Sequence, residues 1–227
     1  MDYLANLMAF LVRFFPPDFS IWPEISSALL ETARIAVMAT LFSALLGVPC
    51  GLAASRNLSP DWLVVITRGF LSVIRSIPGL IWALLAVVVV GANSLAGVVA
   101  LTLYSLGYLG KFFSDAMESA DANVWESLRS MGAGRIQAFQ YGVWPHARPL
   151  IGSQTLWMLE YNLRSATIIG YVGAGGIGVW LHTFQEYGQW DRFCTVLLCI
   201  LALVLILDWL GFRLRKVHAL RMQGLKT

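Results

Sequence analysis

Residues 76–110 read SIPGLIWALLAVVVVGANSLAGVVALTLYSLGYLG, with Arg75 before the run, Lys111 after it and no charged side chain between them. As one helix these 35 residues would reach about 50 Å at 1.5 Å per residue. The hydrocarbon core of a bilayer is about 30 Å thick. The run is therefore too long for one crossing and suits parts of two. The break falls at Gly91-Ala92-Asn93, where glycine and asparagine interrupt an otherwise continuous apolar pattern.

Three further stretches, residues 35–55, 165–185 and 193–207, also carry no charge. Hydrophobic residues make up 58% of the 227-residue chain and charged residues 13%, with a mean hydropathy of +0.69. Ordinary soluble domains are about 25% charged, so the composition excludes a soluble enzyme or binding domain. Five spans fit: about 26–54, 62–90 with a break at Pro78-Gly79, 95–116, 149–171 and 193–212. The expected fold is all-α and polytopic, with a transmembrane domain over 26–227 and a separate segment over 1–25. That segment, MDYLANLMAFLVRFFPPDF at its start, has no basic n-region and no small-residue cleavage site. It is too short to cross and stops at Pro16-Pro17. An interfacial amphipathic helix and a frayed tail are both consistent with it. Cys50, Cys194 and Cys199 lie in apolar segments without ligand neighbours and read as small core side chains.

Basic residues orient the spans, because lysine and arginine collect on the cytoplasmic side. If loop 55–61, loop 117–148 and the tail share a side, that side holds Arg56, Lys111, Arg129, Arg135, Arg148, Arg213, Arg215, Lys216, Arg221 and Lys226. The other holds Arg13 and Arg192. This places the loop and C-terminus in the cytoplasm and the N-terminus outside. The net charge of +3 is then a matter of orientation, and no nucleic-acid partner is needed.

Loop 117–148 contains ESADANVWESLRSMGAGRIQAFQYGVWPHARP and reads as two short helices. Asp121 or Asn123 can cap the first, and Glu126 completes a capping-box spacing from Asn123. Gly132 suits its C-terminal stop. The second runs from about Arg135 to Trp144, and Pro145 ends it. Glu126, Gly132 six residues on and Pro145 thirteen further resemble the cytoplasmic loop of ATP-binding-cassette importer permeases, whose pattern is E-A-A, three residues, G, nine residues, I-x-L-P. Ser127, Leu128, Gly142 and Trp144 depart from that pattern. FFPPDF at 14–19, ASRNLSP at 54–60, RSIPGL at 75–80, LRSMGAGR at 128–135 and NLRSATIIGYVGAGGIG at 162–178 together look like phosphonate-transport permeases, a branch that includes phosphite and hypophosphite permeases. Methionine-importer permeases share the RSIP and VGAGGIG pieces more distantly.

The resemblance implies a type I importer permease fold with coupling helices that dock on a separate ATPase through Glu126, Arg129, Gly132, Arg135 and Pro145. It implies a second permease subunit, identical or paralogous, a dimer of ATP-binding subunits, an extracytoplasmic binding protein and a small anionic substrate. ATP and Mg would belong to the ATPase, this chain binding no cofactor. The location implied is a bacterial inner membrane. The chain has no G-x-x-x-x-G-K-[ST] with which to bind ATP itself. It shows no catalytic constellation and no metal-ligand spacing, so a membrane enzyme or a channel is the weaker reading.

Charges inside spans are costly, at least ~2.5 kcal/mol on insertion scales, and should pair or line a polar path. Glu160 and Arg164 share a helix face four residues apart. Either Arg164, with Asn162, Ser165 and Thr167, faces a substrate path, or Glu160 and Arg164 neutralise each other at a subunit interface. Arg75 and Pro78 at the break of the second span are candidates for a gate or cavity lining, against a plain proline kink with Arg75 in an ion pair. Glu31 and Arg34 read as a structural pair, and Asp208 is expected to meet Arg68 or the basic tail. Gly47 and Gly51 permit close helix packing. His146 and His182 read as structural.

YVGAGGIG at 171–178 spells G-x-G-x-x-G, but a nucleotide fingerprint needs a βαβ context, and here a membrane helix precedes it. Gly173, Gly175, Gly176 and Gly178 instead read as a sharp turn or an outer gate.

Overall fold

The computed structural model describes residues 3–223. The side chains of Arg215, Lys216 and Arg221, and all of Lys226, lie outside the described residues, so the tail's share of the orientation argument is not addressed by the structure.

The described residues form ten α-helices and no strand. They are α1 (Tyr3–Phe14), α2 (Trp22–Ala54), α3 (Asp61–Ser76), α4 (Gly79–Val90), α5 (Ser94–Glu118), α6 (Ala122–Ser130), α7 (Arg135–Ala138), α8 (Trp144–Gly170), α9 (Ile177–Glu186) and α10 (Trp190–Gln223). Three of them, α2 with its preceding 3-10 turn, α5 and α10, are long and apolar enough to cross a membrane, and α3 and α4 taken together add a fourth. Helix α8, 27 residues long, falls short on apolarity because Arg148, Glu160 and Arg164 interrupt it. The expected break of the second span is real. Ile77 is extended (φ −87°, ψ 121°), as the residue before a proline prefers.

Three helices differ most in their bounds. The first long helix begins at Trp22 rather than 26, α8 begins at Trp144 rather than 149, and α10 runs from Trp190 to Gln223 rather than over 193–212. Pro145 therefore does not end a helix but sits in the first turn of one, where its missing N–H is no loss. A π-turn, Phe139–Val143, feeds into α8, with the Trp144 N–H bonded to the Phe139 carbonyl. Helix α9 follows the glycine run, where the sequence suggested only a connection.

The chain divides into two compact units. Among the described residues one takes in residues 3–39, Gly79–Leu101 and Glu160–Leu210, and the other Thr40–Pro78, Thr102–Leu159 and residues 211–223. In the first, Ile21, Ile25 and Ala28 pack with Ile177 and Phe184 of α9 and Val196 and Cys199 of α10. The Arg192 guanidinium meets the Asp18 carboxylate at 3.2 Å, and the Thr195 hydroxyl donates to the Asp18 carbonyl at 2.9 Å. Helix α1 joins this unit through rings: Phe10 lies edge-on to Trp190 at 5.2 Å, and Phe14 lies 6.3 Å from Phe193. Its Tyr3, Leu4, Leu7, Met8 and Val12 stay exposed. Arg13 is its only charge.

In the second unit α2 and α5 are in contact because Gly47 and Gly51 lack side chains. A Cβ at Gly47 would lie 3.1 Å from the Phe113 ring and one at Gly51 2.8 Å from the Phe113 Cβ. The Arg68 guanidinium is held three ways, donating to the Ala54 carbonyl at 2.9 Å and the Ser114 hydroxyl at 3.3 Å and pairing with Glu118 at 2.5 Å. Arg68 thus satisfies a C-terminal carbonyl of α2, which would otherwise have no partner in its helix. Glu118, not Asp208, is its carboxylate.

Candidate functional site

Helix α6 is capped by Asp121, whose carboxylate accepts from the Asn123 N–H at 2.9 Å. The alternative cap at Asn123, with Glu126 closing a box, does not form; Asn123 is already inside the helix. The stop at Gly132 does form. Gly132 has φ +89°. The Ala133 N–H bonds to the Leu128 carbonyl and the Gly132 N–H to the Arg129 carbonyl, at 3.1 and 3.0 Å. This is the paired-bond ending that requires a left-handed residue. The Arg129 guanidinium donates to the Ala133 carbonyl at 2.8 Å, fixing the same turn. Gln137 then accepts from the Gly134 N–H at 2.9 Å to start α7.

Gly142 in the π-turn has the Leu128 side chain 3.1 Å from where its Cβ would stand and Val124 at 3.5 Å. Helix α6 and the π-turn therefore pack directly. Ser-Leu in place of the two alanines and glycine at 142 are two halves of one contact. Beneath the loop lies a groove of about 210 Å³, whose lining includes Leu52, Trp125, Arg135 and Phe139. On the loop's own surface Met131, Ile136 and Tyr141 are each over 70% exposed. Large apolar side chains left this exposed on one loop suit a docking surface. Glu126, Gly132, Arg135 and Pro145 are exposed beside them.

The glycine run closes the turn after α8. Gly173, Gly175 and Gly176 all have positive φ, between +75° and +89°, a region that L side chains avoid. The Thr32 hydroxyl donates to the Ala28 carbonyl and accepts from the Ile177 N–H, at 2.9 and 2.8 Å. Glu31 accepts a hydrogen bond from the Ser94 hydroxyl, and a Cβ at Gly175 would stand 2.9 Å from both the Glu31 carboxylate oxygen and the Ser94 Cα. Glu31 therefore serves the turn rather than pairing with Arg34; no ion pair joins these two among the described residues. Gly178 belongs to α9, where a Cβ would strike the Thr167 carbonyl at 2.1 Å. An open pocket of about 460 Å³ adjoins the turn, lined in part by Tyr171, Gly173 and His182.

Arg164 finds its carboxylate on α10: Asp208 lies 3.1 Å from the guanidinium. Asp208 thus meets Arg164 and not Arg68, which pairs with Glu118; the side chains of the tail from Arg215 on, its other expected partners, lie outside the described residues. The side chains of Arg164 and Asp208 are about half exposed, 53% and 45%. Glu160 and Ser165 are half-buried, whereas Asn162 and Thr167 are buried inside their unit. The structure thus separates these five positions and does not set Asn162 and Thr167 on the face of Arg164. The Thr167 hydroxyl donates to the Arg164 carbonyl at 2.6 Å.

Arg75 makes no ion pair among the described residues. Its guanidinium lies 5.6 Å from the centre of the Tyr108 ring, at the edge of a cavity also lined by Arg68, Ser72, Gly107 and Lys111. This basic cavity was missed in the sequence, although Arg68, Ser72 and Arg75 recur at helical spacing.

Residues 47–216 match the family described as binding-protein-dependent transport system inner membrane component. The chain belongs to that family. The permease is 36% identical over 202 residues to the phosphite transport system permease protein PtxC of Stutzerimonas stutzeri, covering 88% of this chain and 74% of that one. It is 40% identical over 117 residues, 52% of this chain and 96% of the relative, to a cryptic phosphonate transport system permease protein, PhnE2, of Escherichia coli strain K12. The inward-facing methionine transporter MetNI superposes with a TM-score of 0.74 at 23% identity, covering 86% of this chain and 95% of that one, which shows a shared fold. The permease is therefore a transport subunit of an ATP-binding-cassette importer with the type I permease fold, and not an enzyme. Its family works in the inner membrane with a binding protein.

Proposed function

We propose that the permease carries a small phosphorus oxyanion, phosphonate first, with phosphite or hypophosphite beside it. The observation that carries this is the 36% identity with a phosphite permease over 88% of the chain, joined to the pieces at 14–19 and 160–167 that resemble the phosphonate branch. The loop of α6, α7 and the π-turn is the coupling element. Met131, Ile136 and Tyr141 enter a cleft of the ATPase, and Glu126, Arg129, Gly132, Arg135 and Pro145 shape or flank the contact. ATP and Mg are bound there, and this chain holds no cofactor. A second permease subunit completes the pathway, and the extracytoplasmic binding protein meets the face that carries Gly173 to Gly178. The N-terminus and glycine turn lie outside, and the coupling loop and C-terminus in the cytoplasm. Arg164, with Glu160 and Ser165 near it, faces the substrate path, while Asn162 and Thr167 support α8 from within. Pro78 breaks the second span as a gate hinge.

The test is a ligand screen of the partner binding protein against alkylphosphonates, phosphite, hypophosphite, phosphate and methionine, followed by uptake into proteoliposomes holding the assembled importer. Submillimolar binding and ATP-dependent uptake of a phosphorus oxyanion are expected. Selective binding and uptake of methionine or another non-phosphorus solute would overturn the substrate, and uptake without an ATPase would overturn the coupling.

A further inference from the structure

We propose that the cavity between α3 and α5 is a binding site for a phosphorus oxyanion and that Arg75 is the residue that holds it. Only the identity of its occupant in the cell rests on the substrate reading above.

The cavity follows from helical spacing. Helix α3 places Arg68, Ser72 and Arg75 within two turns on one face, and α5 answers with Gly107 and Lys111 four residues apart. Gly107 sets the distance between the helices. A Cβ there would stand 3.1 Å from the backbone nitrogen of Arg75 and 3.2 Å from its Cβ. The space left is about 110 Å³, several times the roughly 10–15 Å³ that one water occupies by this kind of measure. It admits one small tetrahedral anion.

Charge decides what it admits. Arg68 is committed to Glu118 and to two further acceptors. Lys111 is committed to Asp115 at 2.5 Å. No carboxylate among the described residues pairs with Arg75, so one positive charge is left over. The guanidinium carbon lies 5.6 Å from the centre of the Tyr108 ring, a cation–π contact that uses none of its N–H donors and leaves its forked N–H edge for acceptors lying in the guanidinium plane. Two parallel bonds from that edge suit the oxygens of a phosphonate, phosphite or phosphate. The Ser72 hydroxyl, on the same wall, is a further donor. An amino-acid zwitterion would bring its ammonium beside a surplus of positive charge and is disfavoured.

A single leftover charge in an open cavity binds weakly. Arg75 also lies in the last turn of α3, where the helix dipole tempers a cation. Weak binding is what transit requires, since a site that holds an ion tightly stops its passage. The oxyanion can come from a free solute or from a phospholipid headgroup, which basic pockets between membrane helices also bind.

The test uses the permease assembled with its ATPase in a maltoside detergent, with inorganic phosphite and methylphosphonate as probes read by phosphorus NMR saturation transfer. Wild type should show saturable transfer. Arg75→Gln should weaken it at least tenfold, and Arg75→Lys, which keeps a charge but loses the fork, by less. Should Arg75→Gln not assemble, Ser72→Asp places a carboxylate in the cavity and should abolish transfer with Arg75 still present. A parallel sample with phosphatidylglycerol distinguishes the sources. Loss of the phosphite signal on adding lipid assigns the site to headgroups, and persistence assigns it to free oxyanion. Equal transfer and equal lipid retention in wild type, Arg75→Gln and Ser72→Asp would overturn the proposal. Because binding is read on the purified complex, it stands or falls apart from the binding-protein screen. A methionine-selective importer that still lost phosphite binding in Arg75→Gln would sink the substrate and keep the site.

Discussion

At Arg164 and Asp208 two half-exposed charges face each other across 3.1 Å, and the pairing alone does not say which of them transport needs. Their variants do. If the pair only neutralises charge, Arg164→Gln and Asp208→Asn should each impair assembly, and the double variant should restore it. If Arg164 meets the substrate, Arg164→Gln should lower proteoliposome uptake at least tenfold, on the order of 1.4 kcal/mol or more, without loss of co-purifying ATPase. The double variant should then stay inactive. We expect the second pattern; full uptake by the double variant would reject it. Asp18 gives a prediction with a pH sign. Hydrogen bonds from Ser20, and after them the Arg192 guanidinium, hold its carboxyl below the ordinary carboxylate value. A lowered value means the clasp on α10 contributes fully above about pH 4 and fades as the pH falls through the lowered value. Hydrogen exchange at the Ser20 amide should stay protected down to that range, and Asp18→Ala, which removes the acceptor, should remove the protection at neutral pH. Of these residues, the sequence identified Arg164 as a costly membrane charge, but not Asp208 as its partner. A pair 44 residues apart leaves no local spacing to read.

Elements were legible where one physical signal dominated. Uncharged length marked the long helices, Pro78 marked the interruption between α3 and α4, and Gly91 to Asn93 marked the turn before α5. The coupling loop was read correctly at Gly132, where a left-handed stop has a residue signature, and incorrectly at Pro145. A π-turn has none, and a proline is as welcome in a helix's first turn as it is after its last. Helix α9 was missed because its cap, Gly176, looks like part of the preceding run. Two glycines in the loop now separate by mechanism. Nothing lies within 4 Å of a Cβ at Gly132, so Gly132→Ala meets only the left-handed penalty, about 1–2 kcal/mol. At Gly142 the obstacle is the Leu128 side chain, so Gly142→Ala should be mild and Gly142→Val should push α6 off the π-turn. Transport-linked ATP hydrolysis should fall several-fold in Gly132→Ala and in Gly142→Val. A Leu128→Ala partner substitution should rescue Gly142→Val but not Gly132→Ala. Rescue of both, or of neither, would show that the two glycines do not act as their surroundings indicate.

For the whole molecule the open quantity is which way it faces. Ten basic residues against two argue for the coupling loop inside, and five of the ten belong to the tail. The structure offers two independent reporters that avoid the tail. Met131 on the coupling loop is 74% exposed and Tyr187, after α9, is 73% exposed. Cys194 and Cys199 are buried and Cys50 is half-buried, so after Cys50→Ala the background for an aqueous thiol reagent should be low. In intact cells a membrane-impermeant maleimide should label Tyr187→Cys and spare Met131→Cys. In inverted membrane vesicles the order should reverse. Co-expression of the ATPase should then protect Met131→Cys alone, since that side chain is to lie in the subunit contact, while the binding protein should protect only Tyr187→Cys or neither. Labelling of Met131→Cys in intact cells would invert the topology. It would also remove the coupling role from α6, α7 and the π-turn, because an ATPase supplied with cellular ATP can meet this chain only from the cytoplasm.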